Sequence, residues 1–198
     1  MFIQLIKAKV KDREGVQRLS DRWMAELRPG AEGFLGATIG ITDDGTLVDV
    51  ARFASREAAT ANSGRPEQGA WWADFEACLD GPAEFRESDD VTVNERGDLD
   101  QAGFVQVMEG RMHDVEAARA FSAESVDLLA GERPDVLGEV EIVHPDATYT
   151  SVVYFVSEAA AREAEAAPPS PAMQAAMTQM AELLEVDTYY DLRDPWLV

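Results

Sequence analysis

Asn94-Glu95-Arg96-Gly97-Asp98-Leu99-Asp100-Gln101-Ala102-Gly103 is polar, carries two glycines and has almost nothing to bury. The chain on its C-terminal side repeats the chain on its N-terminal side: Phe2-Ile3-Gln4 returns as Phe104-Val105-Gln106. Sliding the chain over itself by 102 positions brings seventeen identities into register over residues 2–70 without a gap. They include Asp12/Asp114, Ser20/Ser122, Gly36/Gly138, Asp44/Asp146, Phe53/Phe155 and Ser55/Ser157. Ordinary composition would supply about four or five. A repeat this long exceeds any solenoid unit and matches a duplicated domain. The expected division is one domain over 1–94, a second over 103–198, and a linker over 95–102.

Each half is read in the same order. Phe2–Val10 carries apolar residues on both faces, the pattern of a strand covered on two sides. Asp12 can cap a helix in which Val16, Leu19, Trp23 and Leu27 recur at helical spacing until Pro29-Gly30. Phe34–Thr42 and Thr46–Phe53 form a hairpin around Asp43-Asp44-Gly45. Ser55 caps a short helix over Arg56–Ala61, Asn62–Gly69 interrupts it, and helix resumes over Ala70–Leu79. Pro82–Val93 is one extended segment. The second half gives strand Phe104–Met112, a helix from Asp114 to Ala130, a hairpin of Val136–Val143 and Thr148–Val156 around His144-Pro145-Asp146-Ala147, a Ser157-capped helix, helix Met173–Leu184 and strand Thr188–Leu192.

The order in each half is βαββαβ, the ferredoxin-like arrangement, with both helices on one face of an antiparallel sheet. That leaves the other face bare, although strand Phe2–Val10 is apolar on both. Packing the two sheets face to face satisfies both observations. The expected fold class is therefore α+β: two tandem ferredoxin-like βαββαβ domains forming an intramolecular α+β barrel. Ligands would enter a cavity between or beneath the sheets.

Composition bounds the partners. There are 17 Lys and Arg against 38 Asp and Glu, a net charge of −21. Nucleic acid and anionic membrane both need a basic footprint, so neither is an expected partner. A single cysteine, Cys78, cannot form an intrachain disulfide. The apolar run at the start is too short for a signal peptide, and no run of 18 apolar residues exists. The expected location is cytoplasmic, and the expected assembly is a pseudo-dimer within one chain, open to further homo-oligomerisation.

These residues resemble the dimeric α+β barrel superfamily, and most of all its antibiotic-biosynthesis-monooxygenase-type branch, here as a fused tandem. The likeness rests on the βαββαβ order, on Gly33-Phe34-Leu35-Gly36 after Pro29, on Val50–Phe53 followed by Ser55-Arg56-Glu57-Ala58-Ala59, and on the Trp71-Trp72 helix. It covers both halves and is specific for fold more than for activity. Arg65-Pro66-Glu67-Gln68-Gly69-Ala70-Trp71-Trp72 marks a subgroup. The resemblance implies quinol or anthrone oxidation without a bound cofactor, haem degradation, isomerisation, or no catalysis.

Several residues are candidates for a site. Gln4 and Gln106 sit mid-strand among apolar neighbours, where an amide needs partners. The resemblance places Gln4 against a ligand; the alternative is a structural amide bonded across the pseudo-twofold. Trp71 and Trp72 point about 100° apart on their helix, so one is expected in the core and the other at a cavity rim beside Asn62 and Arg65. The substrate-binding candidates are thus Trp71, Trp72, Asn62, Arg65 and Gln4. Asp49 and Arg52, on opposite faces of the third strand, are further cavity polars. The second half offers Met173 and Ala164 where the first has Trp71 and Asn62, so a pocket is expected in the first half.

Other features carry less chemistry. Met173, Met177, Met180 and Leu184 form a stripe expected to face the core. His113 and His144 are the only histidines, neither lies on the second helix, and no spacing suggests a metal. That makes haem degradation a poor fit, and His144 reads as a turn residue. Cys78 lacks a visible base and reads as buried and inert. No general base is evident, so no catalytic residue is assigned and neither cofactor nor metal is expected.

The sequence supports three readings. The first is a cofactor-independent monooxygenase-like enzyme acting on an aromatic or polyketide-type molecule. The second is a non-catalytic small-molecule-binding or stress-related protein of the same fold. The third is a structural protein with a filled cavity. An open cavity holding a titratable group of raised pKa favours the first, an acid-free cavity the second, and no cavity the third.

Overall fold

The computed structural model describes residues 1–198 and divides into two compact units. The first is Met1–Val91 together with Trp196–Val198; the second is Thr92–Pro195. No helix is long and apolar enough to cross a membrane.

In the first unit the chain runs β1 (Phe2–Lys9), α1 (Arg13–Arg22), β2 (Phe34–Ile41), β3 (Thr46–Phe53), α2 (Arg56–Ser63), α3 (Pro66–Glu76) and β4 (Glu84–Ser88). Asp12 accepts from Gly15 N and Ser55 from Ala58 N, so both helices start at the side-chain caps that the sequence offers. The sheet is antiparallel and ordered β2-β3-β1-β4, the ferredoxin-like order. Phe2, Ile6 and Ala8 pair with Phe53, Asp49 and Leu47 on the helix-covered face. Ile3, Leu5, Val48 and Val50 on the other face are buried as well.

β5 (Val91–Glu95) starts at the boundary between the units, and the second unit then repeats the first with β6 (Phe104–Met112), α4 (Val115–Glu132), β7 (Val136–Val143), β8 (Thr148–Phe155), α5 (Glu158–Ala166), α6 (Pro171–Leu183) and β9 (Leu184–Leu192), in the sheet order β7-β8-β6-β9. Its hairpin places Ala147 at φ 61° where the first unit has Gly45 at φ 81°. The two tandem ferredoxin-like halves of the sequence reading are therefore present.

Several features differ from that reading. Pro82–Val93 is not one segment: β4 ends at Ser88, and β5 joins the second sheet beside β7. Conversely β10 (Trp196–Leu197) joins the first sheet beside β2, pairing Trp196 with Ile39. Only Gly64-Arg65 separates α2 from α3, because Pro66 takes the first helical position, where its missing N–H costs nothing. Asn62 therefore lies within α2. The long first helix also changes pitch: Trp23–Leu27 is a π-turn, with Arg28 N–H reaching back to Trp23 O. Finally, the methionine stripe is not a core stripe. Met173 is buried, but Met177 and Met180 are 51% and 41% exposed and Leu184 begins β9. Helical spacing fixed their shared face, yet that face reaches only one turn into the core.

Gly36 sits at a β-bulge with φ 141°, and a Cβ there would run into the carbonyl oxygen of Val198 and the Arg52 guanidinium. Gly36→Ala is expected to cost about 1–3 kcal/mol. Gly69, inside α3 with open space around it, is the control. Gly69→Ala should be neutral or stabilising by up to about 1 kcal/mol. Thermal unfolding of the two variants checks both signs.

A candidate ligand cavity in the first unit

The helix-covered face of the first sheet is not sealed. Between it and the helices lies a cavity of about 300 Å³. Its floor comes from residues in register across three strands, Ile6 on β1, Asp49 on β3 and Ile39 on β2, with Ala51 and Ala37 one pleat along. Small residues at those last two positions leave room that a Leu or Phe would fill.

Aromatic rings form the walls. Trp71 stacks on Phe75 at 4.8 Å, Trp72 on Phe75 at 5.5 Å, and Trp72 meets Phe85 of β4 at 5.2 Å. On the other side Trp23 packs edge-on against Phe34 at 4.8 Å. Two of the indoles are fixed by hydrogen bonds: Trp71 Nε1 donates to Leu19 O at 2.8 Å, and Trp23 Nε1 to Gln68 Oε1 at 2.7 Å. The walls are therefore held in place by the fold's own contacts.

Two polar groups matter most. Asn62 is buried and lines the cavity. Its Oδ1 accepts from Arg65 Nη1 at 3.0 Å, and a guanidinium can only donate. The amide orientation is thus settled, and the Nδ2 hydrogens are the end left for the cavity. Arg65 itself does not line the cavity. Its Nη1 also donates to Leu27 O at 3.0 Å, and its Nε to Glu67 at 2.9 Å. Arg65 ties the π-turn to α2 and so holds Asn62 in place.

Asp49 is the second group. It lines the floor, and its Oδ1 is shut off from solvent and has no hydrogen-bond partner. Burial among apolar neighbours raises its carboxyl to about 7, opposed only by the charge of Arg52. Arg52 points to the other sheet face, where Nη1 donates to Thr38 Oγ1 at 3.1 Å.

Of the five residues singled out for binding, the cavity gathers Trp71, Trp72 and Asn62 along its lining. As expected of neighbours on a helix, the two tryptophans differ in burial, Trp71 in the core and Trp72 half-buried against it, yet both reach the lining. Gln4 is elsewhere: its Nε2 donates to Glu87 Oε1 on the neighbouring β4 at 3.2 Å. Gln106 does the same to Asp191 at 2.8 Å, so the repeated glutamine bonds to the adjacent edge strand of its own sheet. Cys78 is buried at the end of α3, and burial together with the charge of Asp12 pushes its thiol up. His144 is buried too, with Nε2 3.0 Å from Thr150 Oγ1. Gln68, Trp23 and Phe85 were not singled out from the sequence; they come from three separate segments with no shared spacing.

The corresponding face of the second sheet is chemically different. Asp49 becomes Ser151, Ala37 becomes Glu139, Ile39 becomes Glu141, and Trp23 becomes Ser125. Ser151 Oγ donates to Glu139 Oε1 at 2.6 Å.

Comparison with known proteins places the fold. No family profile matches the chain, and no curated protein matches it in sequence. Solved structures do match. A candidate monooxygenase from Lactobacillus acidophilus NCFM superposes with a TM-score of 0.73 at 12% identity, over 100% of this chain and 98% of that one. A candidate monooxygenase from Fusobacterium nucleatum gives 0.75 at 11% identity, over 99% and 93%. An anthrone oxidase-like protein gives 0.67 at 12%, over 100% and 90%. The chain thus shares its fold, along its whole length, with monooxygenase-like proteins.

Asp49 should leave a pH signature on stability. A carboxyl whose folded value is raised from 3.8 to about 7 binds its proton more tightly when folded. Stability from this group is full below about pH 4 and declines as pH rises through 7. Asp49→Asn removes that loss. Its stability should match the parent near pH 4 and exceed it increasingly up to about pH 7, where the difference levels off at about 4 kcal/mol, at about 1.4 kcal/mol per unit. Paired thermal melts across that range check it.

Proposed function

We propose that the first unit is a cofactor-independent monooxygenase-like enzyme that takes a planar aromatic or polyketide-type molecule into this cavity. The observation that carries the reading is an aromatic-walled cavity with one sheltered, unpaired carboxyl on its floor. An acid-free cavity would suit simple binding. A carboxyl held out of water in an apolar site destabilises the fold in a way that chemistry can use.

The chemistry asks little of the protein. An enolisable ring carbon loses a proton, and the resulting carbanion gives electrons to dioxygen. One oxygen atom remains on the carbon as a carbonyl, and the other leaves as water with the two hydrogens that carbon carried. The substrate supplies the electrons, so the site must exclude water, orient the ring and stabilise the developing anion. Trp71, Trp72 and Phe75 give flat apolar surfaces for the ring. Asn62 Nδ2 supplies a donor for the enolate oxygen, and Arg65 acts through it as a positioning residue. The fold likeness to an anthrone oxidase-like protein is compatible with this reading, though at 12% identity it speaks for the fold alone.

A thermal-shift panel of anthrones, hydroquinones and planar polyketides tests it, with flavin and haemin as controls. A ligand at about 100 times its Kd should add roughly 2.7 kcal/mol, or about 5–10 °C. Trp72→Ala should abolish the shift while costing little stability, since Trp72 is only half-buried. Trp71→Ala should mainly destabilise, by about 3–5 kcal/mol, because that ring is buried and hydrogen-bonded. Oxygen uptake with the shifting ligand then separates catalysis from binding. A panel without shifts would remove the reading.

A further inference from the structure

We propose that Asp49 is the proton-accepting group of this cavity, and that it selects neutral aromatic ligands carrying a hydroxyl hydrogen over their ethers. The proposal rests on the reading of the cavity as a substrate pocket.

The geometry makes the case. Asp49 is held by the middle of an antiparallel ladder, with Ile6 of β1 on one side and Ile39 of β2 on the other. Phe85 of β4 lies one strand beyond Ile6 in the same register, and Trp71, Trp72 and Phe75 of α3 line the same space. From the π-turn come Trp23 and Met24, and from α2 come Asn62 and Ser63. None of these groups titrates, and the one charge acting on Asp49 is Arg52 of its own strand. The carboxyl has no hydrogen-bond donor from the protein at Oδ1. Structural carboxylates at such depth are paired or capped. Oδ1 itself is closed to water, but the half-buried residue lines a cavity large enough for a small ligand, so a ligand can bring a donor to this carboxyl.

The match is chemical as well as spatial. A carboxylate is acceptor-only, and a buried one forms its strongest hydrogen bond with an O–H. Burial raises its basicity towards that of a weakly acidic hydroxyl, which brings the two groups nearer in proton affinity. The hydroxyl proton moves to the Asp49 oxygen, and the ligand oxygen keeps the electron pair, facing the Asn62 amide hydrogens. The second unit carries Ser151 at this register position, which offers no such base.

The test uses the full chain with 2-naphthol and 2-methoxynaphthalene, which share a ring and differ in that hydrogen. At pH 8 the naphthol is neutral and Asp49 is ionised. Calorimetry should show naphthol binding about tenfold or more tightly than the ether. At pH 5.5 the carboxyl is protonated, and the preference should shrink to about twofold. Asp49→Asn should show the small preference at both values. Equal binding of the two probes at pH 8, or a preference that survives in Asp49→Asn, would overturn the role of Asp49 and leave the pocket standing. Failure of both probes to bind, in the parent and the variant alike, would overturn the pocket reading and this proposal with it. The pH comparison on the parent decides the matter even if the variant folds poorly.

Discussion

One guanidinium holds the cavity open. Arg65 donates to the Leu27 carbonyl of the π-turn and to the Asn62 amide of α2, and it sits beneath Gly30, where any Cβ would strike Nη2. Helices packed on a sheet normally settle until their side chains interlock. Here the π-turn and α2 are tied to one rigid planar group before they can settle further. Each contact is charge-assisted and partly buried, which makes it stronger than a neutral pair in the same place. Both acceptors share Nη1, while Nε of the same planar group donates to Glu67; a lysine has one nitrogen and could not add that second point of attachment. The aromatic walls then stand where the fork leaves them, with Trp23 on one side and Trp71 on the other.

The duplication shows how little of a fold a site needs. Both units keep the same ladder and the same serine-capped helix after the hairpin. The first unit gives the helix face of its sheet to an apolar cavity with one carboxyl. The second places Glu139, Glu141 and Ser151 there, and Ser151 hydrogen-bonds Glu139. Its first helix, α4, is a regular α-helix over 18 residues, without the π-turn that aims Trp23 and Met24 at the cavity. Backbone pattern and site chemistry have separated, as expected when function resides in a few side chains on a shared frame.

The repeat made the fold legible, because identical caps, turns and strand patterns recurred at one spacing. The site was legible only in part. Trp71, Trp72 and Asn62 stood out by type and spacing, and Asp49 was visible as a polar residue in an apolar strand. That Asp49 faces the helices comes from its register with Ile6, which no single strand reveals. Gln4 looked like a ligand group because its partner, Glu87, lies 83 residues away. The stripe of Met177 and Met180 has helical spacing, but spacing gives a face and not its depth. The π-turn has no residue signature, and a strand as short as Trp196–Leu197 carries too little pattern to be seen.

The two polar groups of the cavity explain each other. A lone buried carboxylate costs stability, and a lone buried amide leaves hydrogens unsatisfied. In this cavity Asn62 Oδ1 is taken by Arg65, which leaves the amide hydrogens as the end turned to a ligand, and Asp49 Oδ1 has no donor. A ligand oxygen that gives up a hydrogen to one and accepts from the other would satisfy both. Apolar walls around the pair strengthen each bond by excluding water. On the proposed reading the cavity is complete in shape and incomplete in hydrogen bonding, and the partner it calls for is an oxygen that arrives neutral and can leave as an anion.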